Sequence, residues 1–385
     1  MLAVGLVGPF GSGCSYVGHW IEKNKNYTFL SLSDILKELY VQQHPKKKFS
    51  RTDLQNFGNE IRQLHGSHYL AECIWKKMQE HHEDNYVIDS IRNPEEINYF
   101  RKNIPEFYLF GVFAEQEQRW HRVGQIYNDD KREFENDDKR DSGEKFAYGQ
   151  RVTDSFRMSD IIILNNDNIR PGNQQEHVFS KQLESYMNII EKKEPFRPSP
   201  METYMTMAYA SSMRSSCLKR KVGAVIVDAN GNVFSSGYNE VPSSNKTCLN
   251  EYGACYRDTL KNNFNTSLTS IVKRHKEQTA VYDVFKKSFK ILDYCRALHA
   301  EENAILNVAR VGASTALSES TLYTSTYPCN LCANKIAQVG IKNIVYFEPY
   351  PMPEAKKILS DKKVTQTPFS GVTYNGYFRL MEVID

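Results

Sequence analysis

The feature that most constrains this chain is a histidine in "LHAEENAIL" (298–306) followed thirty residues later by two cysteines in "YPCNLCAN" (327–334). A helix that buries Leu298, Ala304, Ile305 and Leu306 has no packing need for His299, Glu301 and Glu302 beside them. Cys329 and Cys332 are three apart, so at a helix N-terminus both thiolates face one point, and the helix dipole favours their deprotonated form. His299 adds a third donor. Three protein donors with a fourth position open describe a catalytic zinc rather than a closed structural one. Water at such a metal has its pKa lowered to about 7. Glu301 is not needed as a ligand, which leaves it free to carry protons. A CxxC pair alone, or one buried histidine alone, would read as structural. The two together, with a strand–helix–strand–helix order around them, do not.

The length of 385 residues argues for two domains. A hydrophobic content of 40%, a charged content of 25% and a net charge of +3 make neither nucleic acid nor a membrane surface an expected partner. No apolar run approaches the roughly 20 residues of a membrane helix. The opening "MLAVGLVGPFGSG" lacks a basic flank and reads as a strand, not a signal peptide. A cytoplasmic protein with no membrane partner is therefore expected, and its eight cysteines read as thiols or metal ligands rather than disulfides. The Pro-rich, charged "EKKEPFRPSP" (191–200) reads as a boundary, with a domain over 1–192, a linker over 193–200 and a second domain over 201–385. Before it, "LAVGLVG", "YVIDSI", "FYLFGVF" and "DIIILNN" alternate with helical patterns, as in a parallel α/β sheet. After it, a helix over 201–213 leads into "VGAVIVDANGNVFSSGYN", a hairpin around "DANGN". A polar, helical insertion spans about 249–294.

"GPFGSGCS" (8–15) follows the first strand and opens a helix. Gly8, Gly13 and Ser15 match the spacing GxxxxGK[ST], with Gly11 inside the loop and Cys14 where the lysine belongs. Such a loop cradles phosphates with backbone N–H groups, and its lysine reaches the β/γ-phosphates. Without that charge, nucleotide binding without efficient hydrolysis is expected. "SLSDILKEL" (31–39), "RTDLQNFGNEIR" (51–62) and "VIDSIRNPEEI" (87–97) resemble nucleoside monophosphate kinases. That resemblance implies phosphate contacts for Arg92 and for the lid arginines Arg119 and Arg122. A degenerate domain kept for assembly is the plainer alternative.

The pattern H-x-E…P-C-x-x-C is the zinc deaminase signature. Residues 201–385 resemble the deoxycytidylate deaminase family in "KVGAVIVD" (221–228), "SGYNEVP" (236–242), "HAEENAI" (299–305), "PCNLCANKIAQVGIKNIVY" (328–346) and "GVTYNGY" (371–377). The implied fold is a kinase-like P-loop domain followed by a cytidine-deaminase-like α/β/α domain. The implied reaction is hydrolytic loss of the cytosine 4-amino group, with zinc-activated water attacking C4 while Glu301 protonates N3 and then the leaving ammonia. Asn239 would bond the sugar, and Ala300 and Thr326 would position the base. Tyr327 departs from the family pattern. Phage members of the family imply a second, structural zinc on Cys248, Cys255 and Cys295, completed by Cys217 or His275. Lys219, Arg220 and Lys221, just before the first strand of this domain, are candidates for the substrate phosphates.

The whole chain resembles bacterial anti-phage dCTP deaminases. This implies free deoxycytidine nucleotides as substrates, a homo-oligomer, and restraint by an inhibitory small RNA. Three readings remain beside it: a nucleic-acid cytosine or adenine editor, a housekeeping dCMP deaminase for dTMP synthesis, and a nucleotide-binding scaffold. An editor should show a basic or aromatic strand-binding surface, and no such stripe is evident.

Overall fold

A computed structural model of the protein describes residues 1–45, 47–80, 84–144, 146–167, 169, 172–242, 246–274, 294–312, 317–349 and 352–381. The chain forms two compact units, Met1–Glu202 with Ser370–Asp385, and Thr203–Phe369. Each is an α/β layer structure on its own sheet. No helix among the described residues is long and apolar enough to cross a membrane.

In the first unit, β1 (Leu2–Val7), β2 (Thr28–Ser31), β3 (Tyr86–Ile91), β4 (Glu106–Phe113) and β5 (Ile161–Leu164) run parallel in the order β5-β4-β1-β3-β2. The central strands are the apolar runs read from the sequence. Helices cover both faces of a parallel sheet, so such strands need no polar alternation. The helices are α1 (Cys14–Lys25), α2 (Leu32–Gln43), α3 (Arg51–His65), α4 (Tyr69–Met78), α5 (Pro94–Asn103), α6 (Gln116–Val123), α7 (Lys131–Ser142), α8 (Val152–Arg157) and α9 (Gln174–Ile190). Local chemistry sets several starts: Ser50 and Asp53 form a capping box for α3, and Asn93, Pro94 and Glu96 do the same for α5.

The domain boundaries differ from the sequence expectation at two places. Phe196, inside the expected linker, is 4% exposed and belongs to the core of the first unit. The terminal "GVTYNGY" also belongs to this unit rather than extending the second. There β11 (Gly371–Val372) pairs antiparallel with β5, and α16 (Tyr374–Met381) sets Tyr377 edge-on to Phe196. Polar sockets hold the segment. The Val372 N–H donates to Glu202 Oε1 (2.7 Å), Thr373 Oγ1 to the Ser159 carbonyl (2.6 Å), and Arg379 to the buried Asp160 (2.9 Å).

The second unit has the sheet order β10-β9-β8-β6-β7, from β6 (Gly223–Val227), β7 (Val233–Tyr238), β8 (Thr321–Thr326), β9 (Asn343–Glu348) and β10 (Thr365–Pro368). β6 is antiparallel to β7 and β8, while β8, β9 and β10 are parallel. Its helices are α10 (Pro200–Ser212), α11 (Cys248–Tyr252), α12 (Tyr256–Arg274), α13 (Ala300–Arg310), α14 (Asn330–Val339) and α15 (Pro353–Asp361). α11 and α12 fill the described part of the expected insertion, and 275–293 lies outside the described residues.

Helix α13 lies against the edge strand β7 at close range. Asn303 and Asn307 donate to the Tyr238 and Ser236 carbonyls (3.0 Å each), and Ser235 Oγ donates to the Ala304 carbonyl (2.8 Å). These bonds occupy a strand edge that would otherwise be open to pairing. Gly237 makes the approach possible, because a Cβ there would fall 2.3 Å from the Ala300 carbonyl and 2.4 Å from the Ala304 N. Backbone cannot yield as a side chain can. Gly237→Ala is therefore expected to cost about 1–3 kcal/mol in denaturant unfolding and to displace the helix that carries Glu301. Unchanged stability would contradict that packing.

Candidate active site

The order β8–α14–β9 is a βαβ unit, so α14 begins at the carboxyl end of β8 and places Cys329 at its N-cap. α13 begins at His299, whose own N–H donates to Glu302 Oε2 at 3.3 Å. A two-way backbone pairing of Glu240 with Leu298 (3.2 and 2.9 Å) fixes the residue before it. Glu302 also bonds Lys335 of α14 at 2.6 Å, tying the two helices together beside the site. Sequence reasoning gave Glu302 no role, although its place three residues after an N-cap is a capping-box signal.

His299 Nδ1 lies 3.2 Å from Cys329 Sγ and 3.4 Å from Cys332 Sγ. Bonds of about 2.1 and 2.3 Å in a tetrahedral site require N···S edges of roughly 3.6 Å, so the three donors fit zinc with little adjustment. The thiols are shifted in opposite directions. The hydrogen bond from Cys332, with further help from the Cys332 N–H and His299, pulls Cys329 down to about 4. The same thiol–thiol bond, then burial, pushes Cys332 up. The pair thus shares one proton, and a metal would displace it. The Cys329 hydrogen bond raises His299. Glu301 is 3% exposed, burial pushes its carboxyl up, and its Oε2 lies 3.6 Å from Cys332 Sγ. A carboxyl adjacent to the donors yet outside the donor set is placed to take up and release a proton.

Around this core, Ala300 is fully buried at the start of α13. Thr326 Oγ1 is buried with no hydrogen-bond partner, as is Asn330 Oδ1. Sequence reasoning missed Asn330, which sits inside the quoted "PCNLC". Asn239 is already engaged: its Oδ1 accepts from the Val222 N–H and its Nδ2 donates to the Arg220 carbonyl, both at 2.7 Å. One lone pair and one N–H of that amide remain for a ligand. Of the proposed phosphate contacts, Arg220 is ion-paired with Glu348, Lys219 with Asp258, and Lys221 is exposed. Tyr327 is a core residue, with its ring edge-on to Tyr346 and its hydroxyl bonded to Gln366.

Cys217, Cys248, Cys255 and Cys295 do not assemble. Among the described residues, His299, Cys329 and Cys332 are the one group of three such donors lying within 4.8 Å of one another. Cys248 opens α11, whereas Cys255 precedes a different helix, α12. Cys295 instead lines a pocket of about 230 Å³ beside His299, with Arg296 and Lys335. His275 lies outside the described residues.

In the first unit, Gly8, Gly11, Gly13, Cys14, Ser15, Arg92 and Arg122 all line one cavity of about 510 Å³. Gly13 has φ 100°, and a Cβ there would meet Asn165 at 2.3 Å. Cys14 fills the lysine position with a half-buried thiol whose pKa desolvation pushes up to about 12, so it brings no positive charge to the loop. Ser15 Oγ donates to the buried Asp89 at 2.7 Å, a hydroxyl–carboxylate pair of the kind that holds Mg²⁺ beside bound phosphates. Asp89 was not singled out, although it lies within the quoted strand "YVIDSI". The lid arginines depart from expectation. Arg119 is buried on Asp138 (2.5 and 2.9 Å) and the Phe10 carbonyl, and Arg122 braces the carbonyls of Gly11, Ser12, Asn165 and Asp167. Both give donors to carbonyls of the loop, Arg119 to Phe10 and Arg122 to Gly11 and Ser12.

A family model described as the cytidine and deoxycytidylate deaminase zinc-binding region matches residues 198–348. The chain is 36% identical over 157 residues to a deoxycytidylate deaminase of Enterobacteria phage T2, covering 38% of this chain and 79% of the relative. It is 33% identical over 218 residues to that of Saccharomyces cerevisiae, covering 54% of this chain and spanning 57% of the relative's length. Among solved structures, the dCMP deaminase of cyanophage S-TIM5 in complex with dCMP and dUMP aligns at 24% identity with a TM-score of 0.31, covering 45% of this chain and 99% of that one.

Proposed function

The chain belongs to the deoxycytidylate deaminase family, and we propose that its second unit hydrolyses the 4-amino group of free deoxycytidine nucleotides, dCMP and dCTP, to give the uracil nucleotides and ammonia. The observation that carries this reading is a buried Glu301 beside the donors of His299, Cys329 and Cys332. Zinc held by those three residues would supply a Lewis acid that activates water. Glu301, as the carboxylate, would take a proton from the attacking water and give it to N3, then take the proton of the new C4 hydroxyl and give it to the departing amine as the C4–N bond breaks. The Ala300 N–H, at the start of α13, has no acceptor within the helix and can orient the base. The Thr326 hydroxyl and the remaining valences of Asn239 are available to base and sugar. Lys219, Arg220 and Lys221 are the proposed phosphate contacts, and the first two must exchange an existing carboxylate partner for phosphate.

The first unit, in this reading, binds a nucleotide without transferring phosphate, because Cys14 replaces the charge that phosphoryl transfer uses. Depletion of dCTP during phage infection is the proposed role, with a homo-oligomer restrained by a small RNA. A housekeeping dCMP deaminase is the second reading, favoured by the phage T2 and yeast relatives, which are deoxycytidylate deaminases. Ammonia release from zinc-loaded protein given dCMP, dCTP, CTP and a short single-stranded DNA decides among them. Release from dCMP and dCTP is expected. Release from dCMP alone supports the second reading, and release from the oligonucleotide alone overturns both.

A further inference from the structure

The cavity of the first unit presents cations that are already occupied. Arg51 is ion-paired with Asp137 and Asp141, and its guanidinium stacks 3.8 Å above the ring of Phe10 in the P-loop. Arg92 reaches Asp141 at 3.1 Å, and Gln55 donates to the same carboxylate at 2.7 Å. Asp141 is 1% exposed. Two guanidinium groups and an amide converging on one carboxylate form an anion seat, and the anion filling it belongs to the protein's own helix α7.

The segment from α6 to α7 has two unlike faces. On one, Phe134, Val123 and Tyr127 form a small core with Phe10 and Trp120, separate from the core of the sheet. The buried Arg119–Asp138 pair reinforces it. The other face meets a single stripe of α3 through polar groups: Arg51 and Gln55 on Asp141, Asn56 on Arg140 (2.8 Å), and Asn59 on Glu144 (2.7 Å). Exposing buried apolar surface to water is costly, whereas hydrogen bonds and ion pairs are largely exchanged for equivalent ones. The polar contacts along α3 are therefore the ones that a competing anion can take over. Two further atoms on the cavity lining await partners. Gln55 and Gln150 are 4% and 5% exposed, and the Oε1 of each is buried without a hydrogen bond. Amide oxygens of this kind suit the N–H edge of a nucleobase.

We propose that the cavity binds a nucleoside phosphate whose phosphate replaces the Asp141 carboxylate on Arg51 and Arg92, releasing α7 from α3. The proposal rests on the reading that the first unit holds a nucleotide, and it adds what competes for the site and what moves. The base lies against Gln55 and Gln150, and the P-loop amides with Ser15 and Asp89 take any further phosphates and their Mg²⁺.

The test uses the full chain with mono- and triphosphates of adenosine, guanosine, cytidine and thymidine, with and without Mg²⁺. Affinity is measured by equilibrium dialysis, and hydrogen exchange is followed across 131–142. At least one nucleotide is expected to bind the wild type and speed exchange in that segment. Asp141→Asn is expected to bind it about tenfold tighter and to show the faster exchange before ligand is added. Asp137→Asn, on a less buried residue, keeps the test open if Asp141→Asn does not fold, and should tighten binding in the same direction. Binding that slows exchange over 131–142, or tighter binding with no change in exchange there, overturns the release while leaving the nucleotide site intact. If no nucleotide alters exchange in the first unit of any variant, the nucleotide reading itself fails.

Discussion

Glu301→Gln is expected to lower kcat on dCMP by about 10²–10⁴-fold while the protein keeps its zinc. Glutamine preserves the volume and one hydrogen-bonding oxygen but cannot carry a proton. The donors that would hold the metal are His299 Nδ1 and the sulfurs of Cys329 and Cys332, so the substitution leaves them in place. The carboxyl is held at the N-terminus of α13 within 3.6 Å of Cys332 Sγ, beside the donors. KM should change little, because the lost interaction belongs to proton transfer rather than to ground-state binding. Metal content and steady-state kinetics on the same preparation check both halves. Retained turnover would remove Glu301 from the chemistry, and lost zinc would make it a ligand.

The His/Cys/Cys cluster with its neighbouring carboxyl was legible because it is local. His299 and Glu301 share one turn, Cys329 and Cys332 share another, and a βαβ unit brings the two helix starts together. The strands were legible for a related reason: "YVIDSI" and "FYLFGVF" are short apolar runs bounded by turns, and they fold as β3 and β4. What failed was anything set by contacts distant in sequence. The segment 371–377 bonds Ser159, Asp160 and Glu202, and no periodicity announces partners some 170–215 residues away. Arg119 and Arg122 stand where phosphate-directed arginines would, but Asp138 and the loop carbonyls claim them first. Four cysteines in one half of the chain suggested a metal, yet cysteine spacing does not fix geometry when the residues sit on separate elements. The readable part of a site is the part whose donors one or two turns of chain hold together.

One zinc per chain is the other large expected result, lost together with activity in Cys329→Ala or Cys332→Ala. The three donors converge without backbone rearrangement, and the hydrogen bond from Cys332 pulls the Cys329 thiol down towards the form a metal binds. Zinc that binds the folded unit and not the unfolded chain stabilises it by mass action, by about 4 kcal/mol when free metal is roughly 1,000 times Kd. For a unit of this size each kcal/mol is worth about 2–4 °C. Chelation should therefore lower the melting temperature by roughly 8–16 °C, and the cysteine variants should melt near the chelated wild type whether or not zinc is added. Because Cys332 and Ala333 are also core residues of α14, Cys332→Ala should carry a further packing loss that Cys329→Ala lacks. The two variants separate metal from packing: equal melting temperatures would mean that the buried thiol contributes only as a ligand. A second zinc that survives Cys329→Ala would require Cys217, Cys248, Cys255 and Cys295 to converge in a geometry different from the one described, with His275 or its neighbours drawing them together.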